Sequence, residues 1–194
     1  MRYIRPVAPP RTGDLSDRHS VLTTARRAAA LVSALTRERT DPEEVVAVLR
    51  EYGEQGPLDL APDDLAGMRA AAVLLREVFT ADDLDAAAAL LNRLLREHTG
   101  PLRLTSHGGG TPWHPHLDRD DDGPWGEWLL ASSALALTVL VWDTQRPPGR
   151  LCAAHNCRQV FVTQGAGPER RYCSRRCATR ERVAAHRRRA AASE

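Results

Sequence analysis

Lysine is absent from this chain of 194 residues: all 27 basic residues are arginine. Such usage more often reflects a GC-rich coding sequence than a binding property, so the position of positive charge is more informative than its bearer. Aromatics are scarce, at 5% of residues, and the core must therefore rest on Leu, Val and Ala. Residues 1–10 carry charges and prolines where a secretory leader needs an apolar stretch, which implies a cytoplasmic protein. No apolar run is long enough for a bilayer. The longest, residues 128–142, would extend about 22 Å as a helix at ~1.5 Å per residue, against a hydrocarbon layer of about 30 Å. It reads as a buried core helix, and no membrane partner is expected. Also missing are a Gly-rich phosphate loop, a nucleophile elbow and an HExxH pair, so nothing positive points to an enzyme.

What is present begins with helical periodicity. Apolar residues at Val21, Ala25, Ala28, Val32 and Leu35 draw one stripe on a first helix between residues 16 and 39. Asp41, Pro42 and Glu44 supply the cap, first-turn proline and carboxylate of a second helix, which ends near Gly53, Gly56 and Pro57. A third starts near Pro62 with the stripe Leu65, Met68, Ala72, Leu75 and Phe79, and Thr80 is placed to cap a fourth bearing Leu84, Ala87, Leu91 and Leu94. Residues 102–106 and 111–117 alternate as two short strands around Gly108, Gly109 and Gly110, before an acidic loop at 118–122 and the long apolar helix at about 125–144. Pro147 and Pro148 then break the chain. The expected fold is mainly α, with some β: a helical domain over residues 1–146 with a small β-hairpin, then a small second module over 149–194. The charge balance changes sign at that boundary. Residues 150–194 hold eleven arginines against three glutamates, a net +8, which leaves −6 for residues 1–149.

All four cysteines lie in this basic part, as Cys152-x4-Cys157 and Cys173-x3-Cys177 with fifteen residues between the pairs. In a reducing compartment, two close pairs separated by a foldable loop suit tetrahedral zinc better than disulfides. Val160–Val162 reads as a strand, Gly165–Pro168 as a turn and Arg170, Arg171 and Tyr172 as a returning strand. Ser174 is placed to cap a helix carrying Cys177 in its first turn. Knuckle, hairpin and ligand-bearing helix together make residues 149–194 a treble-clef-like zinc finger in expectation. Four unligated thiols are the plain alternative, and a set in which His155 replaces one cysteine is another. Four thiolates already close the shell, which makes the zinc structural and leaves no position for a reacting water.

Beyond Cys177 the helix is basic on most sides. At 100° per residue Arg176, Arg180 and Arg187 share one side around Val183, while Arg175, Arg182, His186 and Arg189 form a second stripe. Cys177, Glu181 and Ala184 are left facing the zinc. With Thr179 and Arg188, these arginines are the candidate nucleic-acid contacts, because phosphate neutralisation is what clustered Arg does best. A solvated basic tail is the plain alternative.

His114 and His116 sit two apart on one strand face with Asp118 following, which allows a metal or ligand site near Trp113. The bland reading is polar-face histidines. His107 adds little, and Trp113, Trp125 and Trp128 read more readily as core residues than as a pocket lining.

Several of these stretches resemble one family. The paired-cysteine knuckle, Phe161, the run Arg170-Arg171-Tyr172-Cys173-Ser174 and the basic helix resemble the CGNR zinc finger, named for the residues at its fourth ligand. Residues 109–118 and 127–137 resemble the end of the ABATE domain that precedes that finger. The resemblance implies a bacterial, stress-induced transcription regulator that holds one structural Zn2+ and binds DNA. It departs from the pattern at Cys177-Ala178-Thr179-Arg180, which lacks the family's Gly and Asn, and at Tyr172, where the family often has Trp. The expected function is thus zinc-dependent DNA binding, with an N-terminal domain that senses a small-molecule effector or forms a homodimer. The alternative is a zinc-stabilised module that binds RNA or an acidic protein.

Overall fold

The computed structural model describes residues 20–54, 57–119, 123–163 and 170–191; residues 1–10, Gly56, the end of the acidic loop at 120–122 and the turn at 165–168 lie outside them. Four helices come first: α1 (Val21–Leu35), α2 (Pro42–Glu51), α3 (Pro62–Phe79) and α4 (Leu84–His98). An antiparallel pair follows, β1 (Arg103–Thr105) and β2 (His114–His116), with a 3-10 turn at His107–Gly109 between them. After α5 (Trp125–Thr144) come a second antiparallel pair, β3 (Gly149–Leu151) and β4 (Val160–Val162), and α6 (Arg175–Ala191).

Local chemistry sets the helix starts. The Ser20 hydroxyl accepts from the Thr23 amide at 3.0 Å, and Asp41 accepts from the Glu43 amide at 3.0 Å ahead of Pro42. Asp64 reaches back to the Ala61 amide at 3.1 Å. Thr80 does not cap α4. Its amide continues the α3 ladder to Arg76 and its hydroxyl donates to the same carbonyl, both at 3.0 Å, so it closes the helix it follows. Asp83 takes the cap, accepting from the Ala86 amide at 2.8 Å.

The core gathers on α5, which packs against α1, α3 and α4 and buries Leu129, Leu130, Ala134, Leu137 and Leu140. Where residues 128–142 read as too short for a bilayer, α5 as a whole has, by length and composition alone, what a span needs; here its packing against three helices is that of a core helix. Its start lies against α3, where a Cβ on Gly126 would come within 2.7 Å of the Gly67 backbone. One charge is enclosed in this bundle. Arg27 on α1 donates to Glu54 at 2.7 Å and to Ser132 at 3.0 Å, and its guanidinium lies 4.3 Å from the Trp128 ring centre.

The second strand pair corrects one expectation. β4 lies where the sequence puts it, but Arg170, Arg171 and Tyr172 form no strand beside it; its partner is β3, with Gly149 opposite Val162 and Leu151 opposite Val160. The prolines at 147 and 148 hid β3, because they read as a break. Val160 and Val162 are buried in the same cluster as the helical core, and Ser33 on α1 both donates to the Val160 carbonyl and accepts from its amide. Arg76 on α3 donates to the Arg158 carbonyl at 2.9 Å. The cysteine-bearing segment is therefore docked on α1 and α3.

Gly149 makes that docking possible. A Cβ there would lie 2.4 Å from Cδ1 of fully buried Phe79 and 2.5 Å from the Phe161 carbonyl oxygen. Gly149→Ala should cost about 2–3 kcal/mol, the upper part of the range for overpacking, since a carbonyl cannot step aside as a side chain can. Chemical denaturation of the zinc-loaded protein measures it, and a destabilisation below about 0.5 kcal/mol would refute the close packing.

Candidate metal centre and nucleic-acid interface

The β3–β4 pair brings the first two cysteines together. Cys152 follows β3, its amide donating to the Gln159 carbonyl at 2.9 Å, and the turn closes with the Cys157 amide on Ala154 and Asn156 in the left-handed region at φ 59°. Asparagine tolerates that conformation better than most residues. The second pair comes from the start of α6. Ser174 accepts from the Cys177 amide at 3.2 Å, the expected cap, which places Cys177 in the first helical turn. The Cys173 amide donates to Cys152 Sγ at 3.3 Å, tying one pair to the other.

The sulfur geometry fits one structural zinc ion. All four Sγ atoms lie within 4.8 Å of one another, and Cys157–Cys173, Cys173–Cys177 and Cys157–Cys177 are separated by 3.8, 3.6 and 3.9 Å. A tetrahedron with Zn–S bonds of about 2.3 Å has edges of about 3.8 Å. A disulfide would need about 2.05 Å, and all four cysteines are free. His155 is exposed and its ring takes no part in the cluster, so the ligand set is the four cysteines.

Burial pushes the Cys157 and Cys173 thiols up, the latter to about 12, while the Ser174 hydroxyl holds Cys177 below the ordinary thiol range. At neutral pH Cys157 and Cys173 therefore keep their protons unless a cation displaces them, and zinc is what makes four thiolates tolerable in so small a space.

The helix also grips the knuckle. Glu181 accepts from the His155 amide at 2.8 Å, and Arg180 donates to the His155 carbonyl at 3.2 Å while lying 3.8 Å from Cys177 Sγ. Arg170 donates to the Cys173 carbonyl at 2.9 Å and sits over the Phe161 ring. These bonds orient the ligands and add positive charge beside the thiolates. Arg180 thus has an internal task that its charge alone did not reveal; the signal was its place one turn after Cys177.

Of α6, only Cys177 is buried; Glu181 and Ala184 are partly covered, as the inward strip requires. Arg175, Arg176, Thr179, Arg180, Arg182, Arg187, Arg188 and Arg189 are all exposed. Thr179 and Ala178, where the family pattern has Asn and Gly, lie on the helix with Thr179 turned to solvent.

Elsewhere, the structure brings His114 and His116 together, with Nε2 atoms 3.0 Å apart. It adds His107, whose Nε2 is 3.2 Å from that of His114. Sequence spacing missed His107 because a left-handed backbone, φ 47°, folds it back over the strands; the glycines that follow it were the available sign of a tight turn. Trp113 is not a core residue: it is 71% exposed, whereas Trp125 and Trp128 stack edge to face on each other and pack against the core.

Residues 150–190 match the family model of the CGNR zinc finger. That span covers both cysteine pairs, β4 and nearly all of α6, so the chain carries a zinc-binding module of this kind. No curated protein matches the chain.

Proposed function

We propose that this chain, with its CGNR zinc finger at residues 150–190, binds duplex DNA and acts as a transcription regulator rather than as an enzyme. One observation carries the reading: α6 holds seven arginines against one glutamate, is pinned at its first turn by a zinc ligand, and buries no residue but that ligand. A basic helix fixed at one end and exposed along its length is a rigid surface for phosphates. Ion pairing with the acidic N-terminal part would instead cover it. A cleft of about 390 Å³ between α1 and β4, lined in part by Arg26, Arg37, Tyr52, Gln159 and Phe161, supports the further reading that the helical part senses a small molecule and passes its effect to the finger.

The test is a salt titration of duplex binding by fluorescence anisotropy. Arg182 and Arg187 are exposed, and no zinc ligand depends on them. Changing both to Gln should make the slope of log K against log salt shallower by about 2, at ~0.9 for each phosphate no longer neutralised. Duplex binding with no salt slope, or a slope unmoved by the double change, would overturn the reading; tighter binding to RNA or to an acidic peptide would replace it.

A further inference from the structure

Three imidazoles converge at the β1–β2 pair, away from the cysteine cluster. The register sets Thr105 opposite His114 and Arg103 opposite His116, so both histidines share the face that carries Arg103 and Thr105. The 3-10 turn then returns His107 to the same spot, its amide held by the Thr105 hydroxyl at 3.1 Å.

The outer nitrogens fix the tautomers. His114 Nδ1 is 2.7 Å from the Pro112 carbonyl oxygen. A carbonyl only accepts, so Nδ1 bears the hydrogen and in the neutral ring Nε2 presents a lone pair. His116 Nδ1 is held in the same way by Asp118 at 2.7 Å, and that carboxylate is buried and bonded by Arg103 at 2.8 Å. The Nε2 lone pairs of His114 and His116 consequently face each other across 3.0 Å, with His107 Nε2 beside them. Facing acceptors at that distance repel unless a positive centre lies between them.

A proton can serve one pair of nitrogens, but three call for an ion that accepts several donors. With metal–nitrogen bonds of about 2.0–2.1 Å, tetrahedral coordination puts ligand nitrogens about 3.3 Å apart, close to the 3.0 and 3.2 Å found around His114, with all three nitrogens within 4.8 Å of one another. The Asp118–His116 pairing and the carbonyl behind His114 are the usual outer partners of metal-bound imidazole.

We propose that His107, His114 and His116 form a second metal site, a three-imidazole shell for a borderline divalent transition cation such as Zn2+. Unlike the four-thiolate centre, it leaves one position open, for water or a small anionic ligand. His107 is exposed and the other two are half-buried, which puts the ion within reach of solvent.

The experiment uses the full chain without an affinity tag, its cysteine centre already holding one zinc, titrated with Zn2+ alone against a competing chelator. The expected result is a second zinc per chain. His107→Ala, a change at an exposed residue, should weaken only that second zinc by about 100-fold or more, and Asp118→Asn by about 10–100-fold. Substituting Co2+ adds a spectroscopic readout: ions at this site absorb without the thiolate charge-transfer band that the cysteine centre gives. Added Zn2+ should also raise the thermal midpoint of the wild type and not that of His107→Ala. A stoichiometry that stays at one, or a second zinc bound equally by wild type and His107→Ala, would overturn the proposal.

Discussion

Removing zinc from this chain with a strong chelator is expected to unfold residues 150–190 and to loosen the helical core with them. The finger's own cluster contains little besides Cys152, Ala154, Phe161 and Cys177, with Cys157, Tyr172 and Cys173 at its edge. So small a group cannot offset the chain entropy of ordering some forty residues, and the metal must. Apparent zinc-binding free energies of about 10–16 kcal/mol at pH 7 make this the largest single effect foreseen. The effect should spread because Val160 and Val162 belong to the main core and β4 is bonded to Ser33.

Acid should act like the chelator. The metal-free thiols of Cys157 and Cys173 titrate above their ordinary range, so in the absence of zinc they favour the fold at low and neutral pH and weaken it only as pH rises beyond the ordinary thiol value, for Cys173 toward about 12. Cys177 is shifted the other way, so its contribution is complete above the ordinary thiol range and is lost as pH falls through its lowered value. Loss of structure at α6 and β4 as pH falls from 7 to 5 is expected to follow zinc release from the cysteine centre, with up to about four protons taken up per ion. Hydrogen exchange with and without chelator reads this out: protection should vanish at α6 and β4 and decline at α1. Full protection of α6 in metal-free protein at pH 7 would contradict it.

Glu54→Ala should be the most damaging loss of an ion pair among the described residues, at about 3 kcal/mol, or roughly 6–12 °C in thermal midpoint. The Arg27 side chain is only 11% exposed, and burial lowers its pKa even though Glu54 pulls the other way, so the enclosed charge is costly despite its partner. Removing Glu54 leaves that charge with Ser132 and the Trp128 face alone. The figure sits at the low end for a broken buried pair because Glu54 is 29% exposed and water can reach the site. Replacing both residues, Arg27→Met with Glu54→Leu, should be milder than Glu54→Ala by itself, since no charge then remains buried. Denaturant titrations compare the two; a double variant less stable than the single would show that the pair contributes net stability.

Much of this architecture was legible from periodicity and capping chemistry. The helices, the β4 strand, the Ser174 cap and the four ligands all follow from local rules, because spacing alone decides which residues share a face. What escaped depended on neighbours far apart in sequence. β3 was hidden by Pro147 and Pro148, and only the Phe79 ring, packed against Gly149, explains why a glycine begins it. Asp83 displaced Thr80 as a cap because Thr80 is still bonded into the end of α3. Arg180 reads as one more basic residue until the knuckle carbonyl is seen against it. His107 needed a left-handed turn, which no alternation of polar and apolar residues announces.

The most direct test of the central claim, that a zinc-pinned α6 binds DNA, is selection of fragmented genomic DNA from the source cells by the purified zinc-loaded chain, followed by sequencing. The account predicts a discrete set of enriched sites sharing a short motif, abolished when zinc is chelated and reduced when Arg182 and Arg187 are changed to Gln. Recovery of DNA with no enrichment over input, or equal recovery by those altered proteins, would contradict it.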